Sequence, residues 1–497
     1  MLIFFMLVVP LVCSALIVTA GENRALRNLY VMIPAVFACL SVIWLINYVL
    51  IGGNHYAVTL VDAFPFTLKF NVDPFSLHMA FSMSFLWILT NIYAFGYMAP
   101  EHSQTRFFSS LTINVTAAMG ICFAENFITF FIFFELLTVA VYPLIIHEET
   151  ETAYNAGIIY GAYLLAGGAA LVAAFGIIFA KTGTVSFIAG GIPGMASLGK
   201  GTLILLFCLL TFAFGFKAAL VPFQYYWLPD AMIAPTPVTA VLHAVAVVNV
   251  GVFGFFRVIY NIFGITLYRA MGFSDALMFI AATTIIVAAI IGMRQKEIKK
   301  MMAFSTVNQM SYMLMGAVCL DVIGQIGGLL HIYFHAFMKI ALFYSAGCMM
   351  TQSKNKYIAR VDGLAKRMPI TLTCYAVAAL GVIGLPPMAG WLSKFYLIRG
   401  YLNSHMAGYA FIFIISGVLE LGFFAPLGYK AWFKKEQPGA FHFEQDTSRF
   451  GSEAPWTMLA PMVIVCIMFV IFGLWGSIPM FLAKPALAGL MGKALVF

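Results

Sequence analysis

The chain has 497 residues, 63% of them hydrophobic and 9% charged, with a formal net charge of +8 and a mean hydropathy of +0.97. A soluble globule carries roughly 25% charged residues, so this composition excludes one and requires a bilayer. The basic excess falls in loops, with no basic stripe interleaved with aromatics, and no nucleic-acid role is assigned.

Apolar runs of spanning length fall at 2–20, 29–52, 76–98, 107–123, 125–146, 153–180, 203–222, 238–260, 273–293, 301–319, 324–350, 369–390 with a broken continuation, 407–430 and 456–482. They predict an all-α integral membrane protein with about fourteen transmembrane helices. The first run lacks a basic n-region and a small-residue cleavage site, so it is expected to be the first span and not a removable signal peptide. With an even number of spans both termini share a side. Loops after odd-numbered spans hold most of the Lys and Arg, from Arg24 and Arg106 through Lys296, Lys299, Lys300, Lys354 and Lys366 to Lys435 and Arg449. Loops after even-numbered spans hold only Lys69, Lys181, Lys200, Arg257, Arg269 and Arg399, with Lys484 and Lys493 in the tail. The positive-inside rule then makes the odd loops cytoplasmic and sets both termini outside, in a prokaryotic-type inner membrane.

Eight cysteines lie mostly inside apolar runs without C-x-x-C spacing and are expected to be small buried hydrophobes. There is no phosphate-binding loop, dinucleotide fingerprint, or haem or iron–sulfur spacing, so no cofactor, metal or catalytic centre is expected in this chain.

The chemistry lies in ionisable residues at membrane depth. His331, His335 and Lys339 are spaced by four within the run Leu329-Leu-His-Ile-Tyr-Phe-His-Ala-Phe-Met-Lys-Ile-Ala-Leu-Phe-Tyr344, which stacks them on one stripe of a helix. Each such group costs about 2.5–3.5 kcal/mol to insert, so an aligned column points to a proton path. Glu135 sits about ten residues, or roughly 15 Å, from either end of its helix, too deep for a carboxylate to reach water. Lys217 lies just before Pro222, which breaks or kinks a helix, and Lys394 follows the second break, Gly384-Leu-Pro-Pro-Met-Ala-Gly390. Broken helices are tolerated in a membrane where they line a cavity or pack on protein.

Two Pro/Gly-interrupted spans at comparable positions in two halves are the pattern of inverted-repeat transporters. Helices four to eight (107–265) and nine to thirteen (266–435) are the expected five-helix repeats, preceded by 1–106 and followed by a last helix in 436–497. His243 by itself suits a structural hydrogen bond as well as a relay, and Lys394 suits a carbonyl cap or a snorkelling amine as well as a path residue. Glu420, in Gly-Val-Leu-Glu-Leu-Gly, and Asp230, at the first helix break, complete the candidates; Asp230 also suits a role in loop geometry.

The stretch Lys217-Ala-Ala-Leu-Val-Pro-Phe-Gln-Tyr-Tyr-Trp-Leu-Pro-Asp-Ala-Met-Ile-Ala-Pro-Thr-Pro-Val-Thr-Ala-Val-Leu-His243 resembles the signature of the antiporter-like subunits of respiratory complex I, membrane-bound hydrogenases and multisubunit sodium/proton antiporters. Lys296-Glu-Ile-Lys-Lys-Met-Met-Ala-Phe-Ser-Thr-Val-Asn-Gln-Met-Ser-Tyr312, the His331 helix and Gly384-Leu-Pro-Pro-Met-Ala-Gly-Trp-Leu-Ser-Lys394 follow in the family's order. The resemblance implies a proton-translocating module. Glu135 and Lys217 would be the charge pair of the first half-channel, Lys339 the central lysine and Lys394 the exit residue, with His243, His331 and His335 carrying protons between them. Burial favours the neutral amine of a lysine and a carboxylate within about 4–6 Å favours the ammonium, so moving one partner switches the other. The chain departs from the family at Gln224, where many relatives have histidine, and at Asn249, where some have lysine. With the sequence ending at Phe497, the lateral helix of the largest such subunit is not expected.

The leading expectation is a proton-pumping subunit of a larger redox complex, with further antiporter-like and other membrane subunits and peripheral redox subunits as partners. The alternatives are a subunit of a multisubunit sodium/proton antiporter and a membrane partner of a soluble carbon-dioxide-hydrating protein. Histidines and lysines are poor ligands for sodium, which favours the proton along the central path.

Overall fold

A computed structural model describes residues 1–21, 23–63, 66–223, 227–436 and 452–493; Gln224, Arg449 and Phe497 lie outside them. Among the described residues, twelve helical segments are long and apolar enough to cross a bilayer. They are α1 (Leu2–Ala20), α2 (Arg24–Ile46, prolonged by a π turn to Ile51), α3 (Pro74–Tyr97), α4 (Gln104–Phe123), α5 (Phe127–Ile145), α6 (Glu151–Thr182), α7 (Lys200–Lys217), the joined α8 (Thr236–Ala244) and α9 (Val247–Arg257), α11 (Phe273–Met293), α13 (Val322–Ser353), α16 (Ala407–Phe433) and α17 (Trp456–Leu474). The short α10 (Ile265–Ala270) leads into α11.

Two further crossings complete the expected number. At 21 residues α12 (Ile298–Val318) is about 31 Å long, enough to span, but its Ser, Thr, Asn and Gln lower its hydropathy. The other is broken into α14 (Pro369–Ile383) and α15 (Ala389–Asn403). The expected last span, 456–482, instead ends at Leu474, and a separate α18 (Ser477–Met491) follows the turn at Trp475.

The bundle is all-α as expected, with one short β element added outside the helices. An antiparallel hairpin, β1 (Ala57–Ala63) with β2 (Phe66–Asn71), joins α2 to α3, with Ala57 opposite Asn71 and a register irregularity between Thr59 and Val61. Alternation in Ala-Val-Thr-Leu-Val marks it, and one face stays exposed. The hairpin gathers the loops of one end of the bundle: Phe70 bridges Ala124, Asn126 bridges Ser186, and the Ile188 amide donates to the Asn261 carbonyl. At the other end Glu297 bridges Tyr357, the Gly363 amide donates to Lys430 O, and Arg106 pairs with Glu149 at 2.6 Å. Loops after even-numbered crossings thus meet at one end and those after odd-numbered crossings at the other. Arg257, expected in a loop, instead lies buried in α9, bonded to Asp73 at 2.6 Å and Asn261 at 3.2 Å and flanked by Phe75 and Phe253.

The bundle has an inside and a rim. The spanning stretches of α13 and of α8–α9 are buried along their whole length, whereas α1, α6 and α16 leave a broad apolar face outward. At 32 residues α13 is about 48 Å long. It begins where the Asp321 side chain accepts from the Ile323 amide at 2.8 Å, and it packs against α3, α8, α12, α14, α15 and α17. A polar residue on α13 is therefore sealed from lipid by protein on all sides.

Candidate functional site

The helix breaks set the lysines in place. α7 ends at Lys217, just before Ala219 takes a positive φ of 54°, and the Phe216 carbonyl accepts from Trp227 Nε1 at 2.9 Å as well as from the Ala219 amide at 3.3 Å. The Lys217 ammonium donates to the Phe134 carbonyl at 2.7 Å and lies 3.3 Å above the Phe134 ring. Glu135, one residue on, packs against Gly168 of α6, where a side chain would collide with its carboxylate. Neither carboxylate oxygen has a hydrogen-bond partner among the described residues. Glu135 and Lys217 are within electrostatic range of one another but make no ion pair among the described residues.

A third break, absent from the sequence reading, divides the eighth crossing between Ala244 and Val247. Asn249 donates from Nδ2 to the freed Ala244 carbonyl at 2.6 Å. Gly251 lies against the Lys217 and Ala218 backbone with no space for a Cβ, so the breaks of the seventh and eighth crossings abut. His243 sits at the end of α8, fully buried, with both ring nitrogens unpartnered and its ring 5.0 Å from Phe343.

On α13 the three expected residues are all completely buried on one stripe. The Lys339 ammonium donates to Ser305 Oγ and, at 3.4 Å, to the Met302 carbonyl of α12. Among the described residues His335 has no hydrogen-bond partner on either nitrogen, and it stands within electrostatic range of Lys339, His331 and His243. His331 is held on both sides, with Nδ1 2.8 Å from Ser393 Oγ and Nε2 2.8 Å from Gln309 Oε1, and its ring lies parallel to Tyr312 at 5.3 Å.

The network runs on to the last break. α14 ends at Gly384, which has a φ of 92° and no side chain to obstruct the Lys394 stem crossing it. Lys394 donates to the freed carbonyls of Val382 at 2.6 Å and Ile383 at 3.1 Å, and to Glu420 Oε2 at 2.7 Å. The other Glu420 oxygen accepts from Gln309 Nε2. Ser393, His331, Gln309, Glu420 and Lys394 thus form one unbroken hydrogen-bonded chain inside the apolar bundle. Asp230 stands apart: it is exposed in a single helical turn, Asp230–Ile233, on a cavity of about 460 Å³ shared with Glu297, Lys299, Lys300 and Lys356.

Gln309, Ser305 and Ser393 were not among the sequence candidates. Their signal was a run of polar side chains, Ser-Thr-Val-Asn-Gln, inside a span, and a serine beside Lys394. Among the described residues no group of three or more His, Cys, Asp or Glu is arranged to hold a metal ion.

Comparison with known proteins gives the same assignment. Residues 124–420 match the family model described as NADH:quinone oxidoreductase/Mrp antiporter, TM, and residues 58–108 match NADH-Ubiquinone oxidoreductase (complex I), chain 5 N-terminus. NADH-quinone oxidoreductase subunit N of Desulforudis audaxviator is 27% identical over 427 residues, 83% of each chain. Subunit L of Mycobacterium tuberculosis is 29% identical over 415 residues, 80% of this chain but 61% of that longer relative. A chain of the membrane-bound sulfane sulfur reductase, an archaeal respiratory membrane complex, superposes with a TM-score of 0.86 at 18% identity, covering 98% of this chain and 97% of that one, which establishes a common fold. The chain therefore belongs to the antiporter-like membrane subunit family of NADH:quinone oxidoreductases and Mrp antiporters.

Proposed function

We propose that the chain is a proton-translocating subunit of a multisubunit membrane complex, of the redox-driven type to which its subunit N relative belongs by name. The observation that carries this is the buried column Lys339–His335–His331 continuing through hydrogen bonds to Glu420 and Lys394. Groups this costly to bury, aligned on one stripe and linked from His331 onward by hydrogen bonds through Gln309 to an acid–lysine pair, have the makeup of a proton relay. Any redox centre belongs to partner subunits in this reading, and further membrane subunits cover the apolar flanks. Residues 107–265 and 266–435 are two half-channels meeting at Lys339.

The two halves stand in different states. In the first, Lys217 rests on a backbone carbonyl and Glu135 is unpartnered; in the second, Lys394 and Glu420 are closed on one another at 2.7 Å. A carboxylate brought to an ammonium favours its charge, and withdrawal favours release of the proton. Alternating closure of the two acid–lysine pairs therefore pushes a proton onto or off Lys339, with His243, His331 and His335 as carriers. Both termini face outward, with the Lys296–Lys300 end of the bundle cytoplasmic, in line with the loop charges.

The test is proton pumping by the assembled complex in vesicles, under its own driving reaction, with Lys339→Ala at matched assembly. Pumping is expected to fall about tenfold or more, as for loss of a proton-transfer group. Unchanged pumping overturns the relay and leaves the fold intact.

A further inference from the structure

The hydrogen bonds around Gln309 dictate which end of its amide faces which neighbour. Glu420 accepts from Lys394 through Oε2 and from Gln309 Nε2 through Oε1, and the same Nε2 donates to Asn308 Oδ1 at 3.1 Å. Turning the amide over sets its oxygen against a carboxylate oxygen and an amide oxygen, two acceptor–acceptor contacts between fully buried groups. Asn308 is itself pinned, donating to the Ile285 carbonyl at 2.9 Å and to Ser416 Oγ at 2.8 Å. Gln309 Oε1 therefore faces His331 Nε2 and accepts from it, which requires a hydrogen on Nε2.

His331 Nδ1 is then the atom at which a neutral ring takes up a proton. Its partner, Ser393 Oγ, also lies 3.1 Å from the Gly390 carbonyl. The single hydroxyl hydrogen points to Nδ1 when the ring is neutral. It turns to Gly390 O when Nδ1 has gained a proton and donates in its turn. The Ser393 side is thus built to accommodate both charge states of His331, and the Gln309 side is not. A primary amide neither accepts nor releases a proton near neutral pH, so the Nε2 proton of an imidazolium stops at Gln309 although the Glu420 carboxylate lies on the other side of the same amide.

Building on the proton-path reading above, we propose that Gln309 is the gate between His331 and the Glu420–Lys394 pair: closed while its amide bridges them, open when the amide swings aside and His331 meets Glu420 through one water. In the open state the Nε2–H bond of the imidazolium breaks and an O–H bond forms on Glu420. The products are a neutral imidazole and a carboxylic acid, the total charge is unchanged, and Lys394 loses its counter-ion and becomes the next group to move. Gln309 acts through its neighbours, as a positioning residue that insulates.

Passive proton flux reads insulation directly. The complex is reconstituted in liposomes with an imposed pH gradient and no driving reaction. Gln309→Glu replaces the amide by a near-isosteric group that does relay protons, and passive flux is expected to rise about tenfold or more over wild type. Gln309→Leu fills the site without a relay and is expected to stay as tight as wild type. Adding Glu420→Gln to Gln309→Glu removes the receiver and returns the flux to the wild-type level. A Gln309→Glu complex as tight as wild type overturns the gate, as does equal leakage in Gln309→Leu, which marks packing damage. Driven pumping by Lys339→Ala separates the two ideas. If pumping is lost there while Gln309→Glu is tight, the path stands and the gate falls; if Lys339→Ala pumps normally, both fall.

Discussion

Lys394 meets three oxygen atoms at once, the Val382 and Ile383 carbonyls and the Glu420 carboxylate, so it is a carbonyl cap and one half of a buried ion pair. The cap is what allows the twelfth crossing to break at depth, and the ion pair is what ties that break to α16. Removing one partner of a buried pair leaves an uncompensated charge and costs about 3–5 kcal/mol, whereas replacing both with apolar groups is often close to neutral. Lys394→Met is therefore expected to lower stability in detergent by about 3 kcal/mol or more, and Lys394→Met with Glu420→Leu to recover most of that loss. The shortfall in recovery, read by thermal unfolding, measures the two uncapped carbonyls together with the acceptor lost to Gln309 Nε2; a double variant no more stable than the single one contradicts the pair. At this scale the sequence exposed the expensive residues, because burial of Glu135, Lys217, Lys339 and Lys394 is improbable without a purpose. Gln309 was hidden because a neutral amide carries no such penalty, and only its neighbours reveal its role.

The helices themselves were largely written in the apolar runs. α1 and α11 begin and end where the runs do, and most others differ by a few residues at their ends. The Pro-marked breaks were legible because proline, which lacks an amide, disfavours a helix interior. The break at Ala244–Val247 has no proline or glycine, and it exists because Asn249 caps the freed carbonyl from inside the fold. α14 offers a comparable case at its start, where Glu453, distant in sequence, accepts from the Ile370 amide at 2.6 Å, the Thr371 amide at 3.2 Å and the Thr371 hydroxyl at 2.6 Å. Glu453→Ala leaves those donors without an acceptor at a helix N-terminus and is expected to cost about 1–2 kcal/mol, visible as a lowered unfolding temperature. A Glu453→Gln variant, which keeps one acceptor oxygen, should recover part of it.

For the whole molecule, parity and charge set the orientation. The even-numbered loops converge on the hairpin and the odd-numbered loops on the Lys296 end, as successive full crossings require. Lys296→Cys and Lys181→Cys place thiols at exposed positions of opposite ends. A membrane-impermeant maleimide is expected to label position 181 from outside and position 296 only after the cytoplasmic face is opened. The reverse pattern inverts the topology and, with it, the direction assigned to each half-channel.

The sequence by itself determined the membrane environment, the order of the crossings, two of the three breaks and the family, because each follows from local apolar length, from proline or from a contiguous motif. Tertiary structure alone decided who touches whom. It kept Glu135 from Lys217, joined His331 to Glu420 through Gln309, and turned Arg257 from a loop charge into a buried tie to Asp73. Those contacts link residues tens to hundreds of positions apart, and in a bilayer, where every run is apolar, hydropathy does not say which helix face meets which neighbour. Close packing and the demand that buried polar groups find partners settle that, and both act only once the helices are assembled.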